Sequence, residues 1–327
     1  MSMLGACIGD AAGATLEFLG RLPTLEEVDR ALTMPGSSEK TGTAHFFTNG
    51  KNRVGPGQIT DDGELTLALW SALYKHQPKM GPPIDEILRA YAKWWATQPP
   101  DIGMTCSRAF EAACEMLRDP NGSIDDYLVL VQRLNGDSQA NGALMRATAI
   151  AHWASADKEV PPSLVALMGR ADAQLSHPNS VCQDCNALYL YACTLLLRRV
   201  EPRLAYKMTG EFAMQTISDQ TVLRWFFNDS QDITGLRCQE NNGHVRYAFT
   251  LAFYFMQHPE IDFEEALRQT LLKGGDTDTN AAIVGGLVGC YSNPPSRLKE
   301  PVLTFRADGS KGGHVRPQWL WPWIYFS

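Results

Sequence analysis

Two short runs of oxygen-bearing side chains carry the chemistry that can be read first. Gly274-Gly275-Asp276-Thr277-Asp278-Thr279-Asn280 sets two carboxylates two residues apart, where a helix should begin. Gly57-Gln58-Ile59-Thr60-Asp61-Asp62-Gly63-Glu64 sets two adjacent carboxylates after a threonine, ahead of an apolar helix-forming run. Taken singly, the second run is an ordinary helix start, with Thr60 as a good N-cap and acids in the first turn favoured by the helix dipole. Carboxylates this close repel each other unless a cation or a positive helix end offsets them. Read together, each run offers a threonine hydroxyl and two carboxylates at a helix N-terminus, with no nitrogen or sulfur ligand nearby. An all-oxygen set selects a hard divalent ion, Mg²⁺, Mn²⁺ or Ca²⁺, rather than zinc. The four carboxylates would balance two such cations, which makes a binuclear site the natural stoichiometry.

Other readings of these residues can be tested against spacing. Asp276-x-Asp278-x-Asn280 imitates the start of an EF-hand loop, which also needs glycine at its sixth position and glutamate at its twelfth. Those positions hold Ala281 and Leu287, so that reading fails. A DxDxT phosphatase nucleophile needs threonine at 280 and a hydrophobic strand before it; Asn280 and Lys273-Gly274-Gly275 deny both. Cys182-Gln183-Asp184-Cys185 is the one CxxC, with no second pair and no preceding strand, so buried free thiols are the simpler reading. Gly9-Asp10-Ala11-Ala12-Gly13-Ala14, with Glu17 beyond it, places an acid inside a small-residue stretch suited to close helix approach. Asp10 there needs a buried partner. Asn141-Gly142-Ala143-Leu144-Met145-Arg146 is a turn entering a helix, a place where backbone N–H groups can hold an anion such as a diphosphate.

Helices must position these groups. Apolar stripes of helical period run through Ile84, Ile87, Leu88, Tyr91 and Trp95, then Phe110, Ala113, Cys114 and Leu117. Ser123 with Asp126 resembles a capping box ahead of Tyr127, Leu130, Val131 and Leu134. Further stripes pass through Leu164, Leu167, Met168, Ala171 and Leu175, through Cys185, Leu188, Ala192 and Leu195, and along 245–255 and 263–271. No alternating strand of useful length and no fixed-period repeat interrupts them. The expectation is an all-α fold, a single domain over 1–327 with ten or more helices. Loops at 35–58, 135–143 and 293–317 are expected to be functional rather than accidental.

Bulk properties agree. The 327 residues are 44% hydrophobic and 20% charged, with net charge −7 and no basic stripe, which argues against nucleic-acid binding. No run of about 18 apolar residues suggests a membrane helix, and the N-terminus lacks the basic region of a signal peptide. Cytoplasmic location and a monomeric state are the simplest expectations.

In combination the four motifs resemble the ADP-ribosylglycohydrolase family, which includes the dinitrogenase reductase-activating glycohydrolase. They are the Gly-Asp-x-x-Gly-Ala start, the Thr-Asp-Asp helix start, the Asn-Gly-x-x-Met-Arg turn and the Gly-Asp-Thr-Asp-Thr loop, in the family's order from Gly5 to about Tyr291. The resemblance implies an orthogonal multi-helix bundle with a central cleft holding two Mg²⁺ or Mn²⁺ ions. It implies Thr60, Asp61, Asp62, Asp276, Asp278 and Thr279 as metal ligands and Glu17 as the glutamate beside them. It implies Asn141, Gly142 and the turn before them, including Ser138, as the loop that holds ADP-ribose, with Asp10 and Gly275 also at the substrate. His177 resembles a nucleotide-contacting histidine, with a core or capping role as the alternative. Asp101 matches an aspartate associated with removal of ADP-ribose from arginine, with a plain turn acid as the alternative. Departures are Gly63 where threonine or serine is common, which could loosen support of the ligands, Ala140 for a glycine, and Gln139 in place of an aromatic ring. The tail Trp319-Leu320-Trp321-Pro322-Trp323 is outside the motifs and is expected to seal the core.

The implied reaction is hydrolysis of the bond between the ribose anomeric carbon and a protein side chain, through an oxocarbenium-like state. Asp61 or Asp62 would be the general base, with Glu17 or Asp101 assisting proton transfer. The partners are then an ADP-ribosylated protein, most simply on arginine, and ADP-ribose as product. Hydrolysis of ADP-ribosyl-serine or O-acetyl-ADP-ribose is the runner-up. A non-catalytic ADP-ribose binder, such as an immunity protein against a toxin, is the alternative of another class. A blocking protein would be expected to carry an added arm, and Met1 stands only nine residues before Asp10.

Overall fold

In the computed structural model, which describes residues 1–36 and 54–326, sixteen α-helices and three short 3-10 turns make up the regular structure. Among the described residues the one strand-like feature is an antiparallel bridge between Ala140 and His244. The protein is all-α. Of the loop read at 35–58, residues 37–53 lie outside the described residues.

The chain opens with α1 (Ser2–Gly13) and α2 (Leu25–Ala31), and the Thr-Asp-Asp run starts α3 (Asp61–Leu73). Next come α4 (Ile84–Trp95), α5 (Met104–Arg118) and α6 (Ile124–Asn135), each packed on the helix before it. The middle is α7 (Thr148–Ser155), α8 (Pro162–Gln174), α9 (Ser180–Leu197), α10 (Pro202–Thr216) and α11 (Gln220–Phe227). The last elements are α12 (Val245–Gln257), α13 (Phe263–Leu271), α14 (Thr277–Val288), α15 (Ser296–Thr304) and α16 (Trp323–Phe326). Local chemistry sets several of these starts. Ser123 accepts from the Asp126 amide at 3.1 Å, as its spacing predicts, and Asn179 and Asp262 cap α9 and α13 in the same way.

The stripes locate the helices well but misplace two faces. Leu130 and Leu134 of α6 are each 40% exposed, and Leu164 and Leu167 of α8 are 37% and 59% exposed. On α8 the inward face is Val165, Met168, Gly169 and Asp172. Asp172 is turned in to meet Arg146, and that pairing rotates the two leucines out.

At the centre α1 crosses α14, and both are buried along their whole length. Gly5, Gly9 and Gly13 recur every four residues and so share one face of α1. A Cβ on Gly5 would meet Gly285 O at 2.3 Å, on Gly9 Ala281 O at 2.0 Å, and on Gly13 the Asp278 backbone at 2.4 Å. Glycine therefore sets how near the two helices lie, and that contact carries Asp10 alongside Asp278. The aromatic tail packs as expected: Leu320 joins the main core, while Trp321 closes a small cluster with Phe305 and Ala307.

Candidate metal centre and active site

Three helix ends meet here: the last turn of α1 and the first turns of α3 and α14. Asp10, fully buried, finds the partners its setting demands. The Thr60 amide lies 2.9 and 3.0 Å from its two oxygens, the Thr60 hydroxyl donates at 2.8 Å, and the Gly63 amide donates at 2.8 Å. Thr60 is thus the N-cap of α3 by position, but its hydroxyl serves Asp10 instead of the helix amides. The expectation that Gly63 loosens this support is reversed. A Cβ there would stand 2.7 Å from Asp10 Oδ2 and 2.9 Å from Ile59, so the missing side chain is what lets the Gly63 amide reach the carboxylate.

Around this anchor the acids gather into two adjoining triads. Carboxylate oxygens of Asp10, Asp62 and Asp278 lie within 4.8 Å of one another, and so do those of Glu17, Asp101 and Asp278. Asp278 belongs to both. Thr60 Oγ1 and Thr279 Oγ1 lie 3.3 and 3.5 Å from Asp62 Oδ2. Asp276 accepts from Asn141 Nδ2 at 2.7 Å, which ties the Asn-Gly turn to the α14 start. Asp61 is half-buried, receives the Gly103 amide, and lines a narrow crevice with Asp101, Glu64 and His314. A larger hollow of about 400 Å³, lined by Leu128, Gln132 and Gln183 among others, contains none of the acids.

The electrostatics mark the cluster as incomplete. Burial first, and then neighbouring carboxylates, push Asp61, Asp62, Asp278 and Glu17 well above the ordinary carboxylate range. Burial raises Asp10 to about 7 against the donors from Thr60 and Gly63, and burial with the Asp276 charge raises Asp101 to about 6. Asp62 Oδ1 and Glu17 Oε2 are buried without any hydrogen-bond partner. Unpartnered buried carboxylate oxygens are costly unless something else supplies the positive charge. The donor set is all oxygen, its charges need a counterion, and two of its buried oxygens lack a partner, so the residues fit hard divalent cations.

Of the residues expected at the substrate, some line the site and others stand behind it. Gly275 adopts φ +77°, which a side chain would strain, and its carbonyl accepts from the Phe18 amide at 2.9 Å, fixing the residue after Glu17. Ser138 Oγ pairs with Thr105 Oγ1 at 2.9 Å. The Gly142 carbonyl accepts from Arg146 Nη1 at 2.9 Å, so the turn is held from below by a buried arginine. His177 is 1% exposed beneath Gly142, with Nδ1 2.8 Å from Ser176 Oγ; burial, then Arg146, lowers it to about 3. It is neutral and supports the turn. Asp10 likewise spends its oxygens on Thr60 and Gly63.

Sequence reasoning missed two things. Asp10 and Asp101 stand within ligating range of Asp278, and only the need for a partner at Asp10 hinted at this. The pair Glu64–Arg316, at 2.7 Å, was also missed, although Glu64 stands in the quoted motif.

Comparison with known proteins adds to this geometry. The family model described as ADP-ribosylglycohydrolase matches residues 1–305. A protein of Acanthamoeba polyphaga mimivirus, named a candidate ADP-ribosyl glycohydrolase, is 24% identical over 329 residues, covering 94% of this chain and 91% of its own. The ADP-ribosyl-dinitrogen reductase glycohydrolase of Rhodospirillum rubrum is 25% identical over 297 residues, covering 88% and 83%. A solved structure titled as an ADP-ribosylglycohydrolase-related protein complex matches in fold with a TM-score of 0.67 and 21% identity. It covers 91% of this chain and 89% of that one.

Proposed function

The chain belongs to the ADP-ribosylglycohydrolase family and is a glycohydrolase, and we propose that it removes ADP-ribose from arginine side chains of a modified protein with a binuclear Mg²⁺ or Mn²⁺ site. One observation carries the metal reading: Asp278 is shared between two carboxylate triads that also hold unpartnered buried oxygens. Thr60, Asp61, Asp62, Asp276, Asp278 and Thr279 are the proposed ligands, with Asp10 and Glu17 close enough to join them or to hold them in place. When bound, the cations supply Lewis acidity toward the ribose hydroxyls and the attacking water.

The chain's own residues do the rest. The Asn141–Gly142 turn, braced by Arg146 and His177, orients the diphosphate side of the substrate. Asp61 faces the crevice and takes the proton of the attacking water, a role that Asp62 could share only if less engaged by metal. Asp101, in the same crevice with its carboxyl raised to about 6, is placed to give a proton to the departing side chain. Its match to the family's aspartate at this point of the chain is what supports the arginine linkage. Among the described residues no helix is long and apolar enough to cross a membrane; the enzyme is proposed to be a cytoplasmic, single-domain monomer.

The test is incubation with Mg²⁺ or Mn²⁺ and a panel of ADP-ribosylated arginine, serine and asparagine, together with O-acetyl-ADP-ribose. Free ADP-ribose is expected chiefly from the arginine conjugate. Preference for serine or O-acetyl-ADP-ribose would overturn the linkage, and release from none of them would favour a non-catalytic binder.

A further inference from the structure

Arg316 lies in the irregular stretch after α15, past the span matched by the family, yet it is only 6% exposed. Its guanidinium grips Glu64 twice, Nε to Oε1 and Nη2 to Oε2, each at 2.7 Å. Nη2 also donates to Thr97 Oγ1 at 2.7 Å and Nη1 to the Thr97 carbonyl at 3.3 Å, while Trp94 Nε1 donates to Glu64 Oε2 at 2.7 Å. The arginine backbone is itself fixed, its amide on Ala307 O at 2.8 Å and its carbonyl under Trp321 Nε1 at 2.9 Å. Every polar atom of this buried pair has a partner.

Its place in the fold gives the pair its meaning. The Glu64 amide donates to Thr60 O at 3.0 Å and so closes the first turn of α3, the turn that presents Thr60, Asp61 and Asp62. On the other side of that turn, Gln58 is bound to the same tail: its Nε2 donates to His314 O at 3.0 Å and its Oε1 accepts from the His314 amide at 2.9 Å. The tail therefore holds the chain just before α3 and just inside it, and His314 shares the crevice with Asp61 and Asp101. A buried ion pair is weak evidence of stability, since apolar residues of equal volume often serve as well. A two-pronged arginine fork does what apolar packing cannot: it fixes direction.

We infer that the tail segment 306–323 is part of the active-site frame and that Arg316 is a positioning residue. Its grip on Glu64 sets the rotation of the first turn of α3 and hence where Thr60, Asp61 and Asp62 stand relative to Asp278. The consequence for cations rests on the metal reading above; the geometric claim does not.

The experiment uses the full chain with Arg316→Met and Arg316→Lys. In metal-free protein that is folded by circular dichroism, amides of the α3 start are expected to exchange about tenfold faster in Arg316→Met, while those of α12 are unchanged. Manganese affinity, followed by electron paramagnetic resonance, is expected to fall about 10-fold or more, the usual scale for a residue that orients ligands. The same variant should lower kcat with little change in KM, and Arg316→Lys, which keeps the charge but loses the fork, should recover part of each effect. Wild-type exchange at α3 together with wild-type manganese affinity in folded Arg316→Met would mean that the tail is only a seal. Should Arg316→Met fail to fold, Arg316→Lys carries the same comparison, and unchanged values there overturn the inference. A wild-type protein that takes up no manganese defeats the metal reading, and the exchange comparison still decides the role of Arg316.

Discussion

Two buried charged regions lie on either side of the Asn141–Gly142 turn, and they are built on opposite terms. Behind the turn, Arg146 donates to Asp172 through Nε at 3.0 Å, to Asp172 O through Nη2 at 3.1 Å and to Gly142 O, and its guanidinium lies over the Tyr91 ring. Tyr91 OH donates to the other Asp172 oxygen at 2.6 Å, so each guanidinium nitrogen and each carboxylate oxygen of the pair has a partner. In front of the turn, Asp62 and Glu17 keep oxygens with no partner, and carboxylates face carboxylates. Arg146 and Asp172 are fully buried, and so are Asp10, Asp62 and Asp278 at the heart of the acid cluster. The difference is that one is complete within the chain and the other is complete only with something added, which separates scaffold from site without reference to any relative.

The sharpest way to break this contrast is to remove one acid from the open region. Asp278→Asn is expected to lower metal-dependent release of ADP-ribose by about a thousandfold or more, several kcal/mol of transition-state stabilisation. The metal-free variant should melt no lower than wild type, because a repelling charge has gone. Near-wild-type turnover would sink the metal assignment. The converse applies to the closed region: Arg146→Met strands Asp172 and should cost about 3–5 kcal/mol in urea unfolding, as broken buried pairs do.

pH sharpens the same contrast. Acids whose folded pKa is raised above the unfolded value contribute stability at low pH and lose it as pH rises through the folded value. For Asp101 and Asp10 that loss runs from about 4 to 6 and 7. Metal-free protein should therefore lose stability from this cluster on going from pH 5 to pH 8. Added Mn²⁺ should restore more at pH 8 than at pH 5, about 2.7 kcal/mol per site at a hundred times Kd, read from melting curves. A gain independent of pH would contradict the cluster as the binding site. His177 works in the opposite sense. Kept neutral with a pKa near 3 against 6.5 when unfolded, it makes stability fall as pH drops from 6.5 toward 3. Because the two slopes oppose each other between pH 4 and 6.5, each is read against its own variant. His177→Gln should flatten the second slope by on the order of 1–2 kcal/mol at pH 5.

What the sequence disclosed follows a physical division. Periodicity and caps are local, so the helices, the Ser123 cap and the two acid-bearing helix starts were legible. Partners across the fold were not. Asp10 announced that it needed a donor, but nothing in its neighbourhood named Thr60 and Gly63, some fifty residues on. The rotation of α8 depended on Arg146, which the stripe of leucines could not reveal. Arg316 left no signal at all, because an arginine in an irregular stretch reads as solvated until its carboxylate is found.

The glycine contact between α1 and α14 also bears on how the protein comes to exist. The Thr277 hydroxyl donates to Gly13 O at 2.8 Å across 264 residues of chain, and Gly5, Gly9 and Gly13 face Gly285, Ala281 and Asp278 across similar intervals. A growing polypeptide makes α1 long before its partner, so the glycine face of α1 waits uncovered through most of synthesis. Contacts so far apart in sequence form slowly and late. The acid cluster cannot be assembled sooner, since Asp10 and Asp278 meet only when α14 has emerged. On the proposed metal reading, a cation is captured only after these two helices have met, so loading closes maturation of a chain that is already folded at its centre.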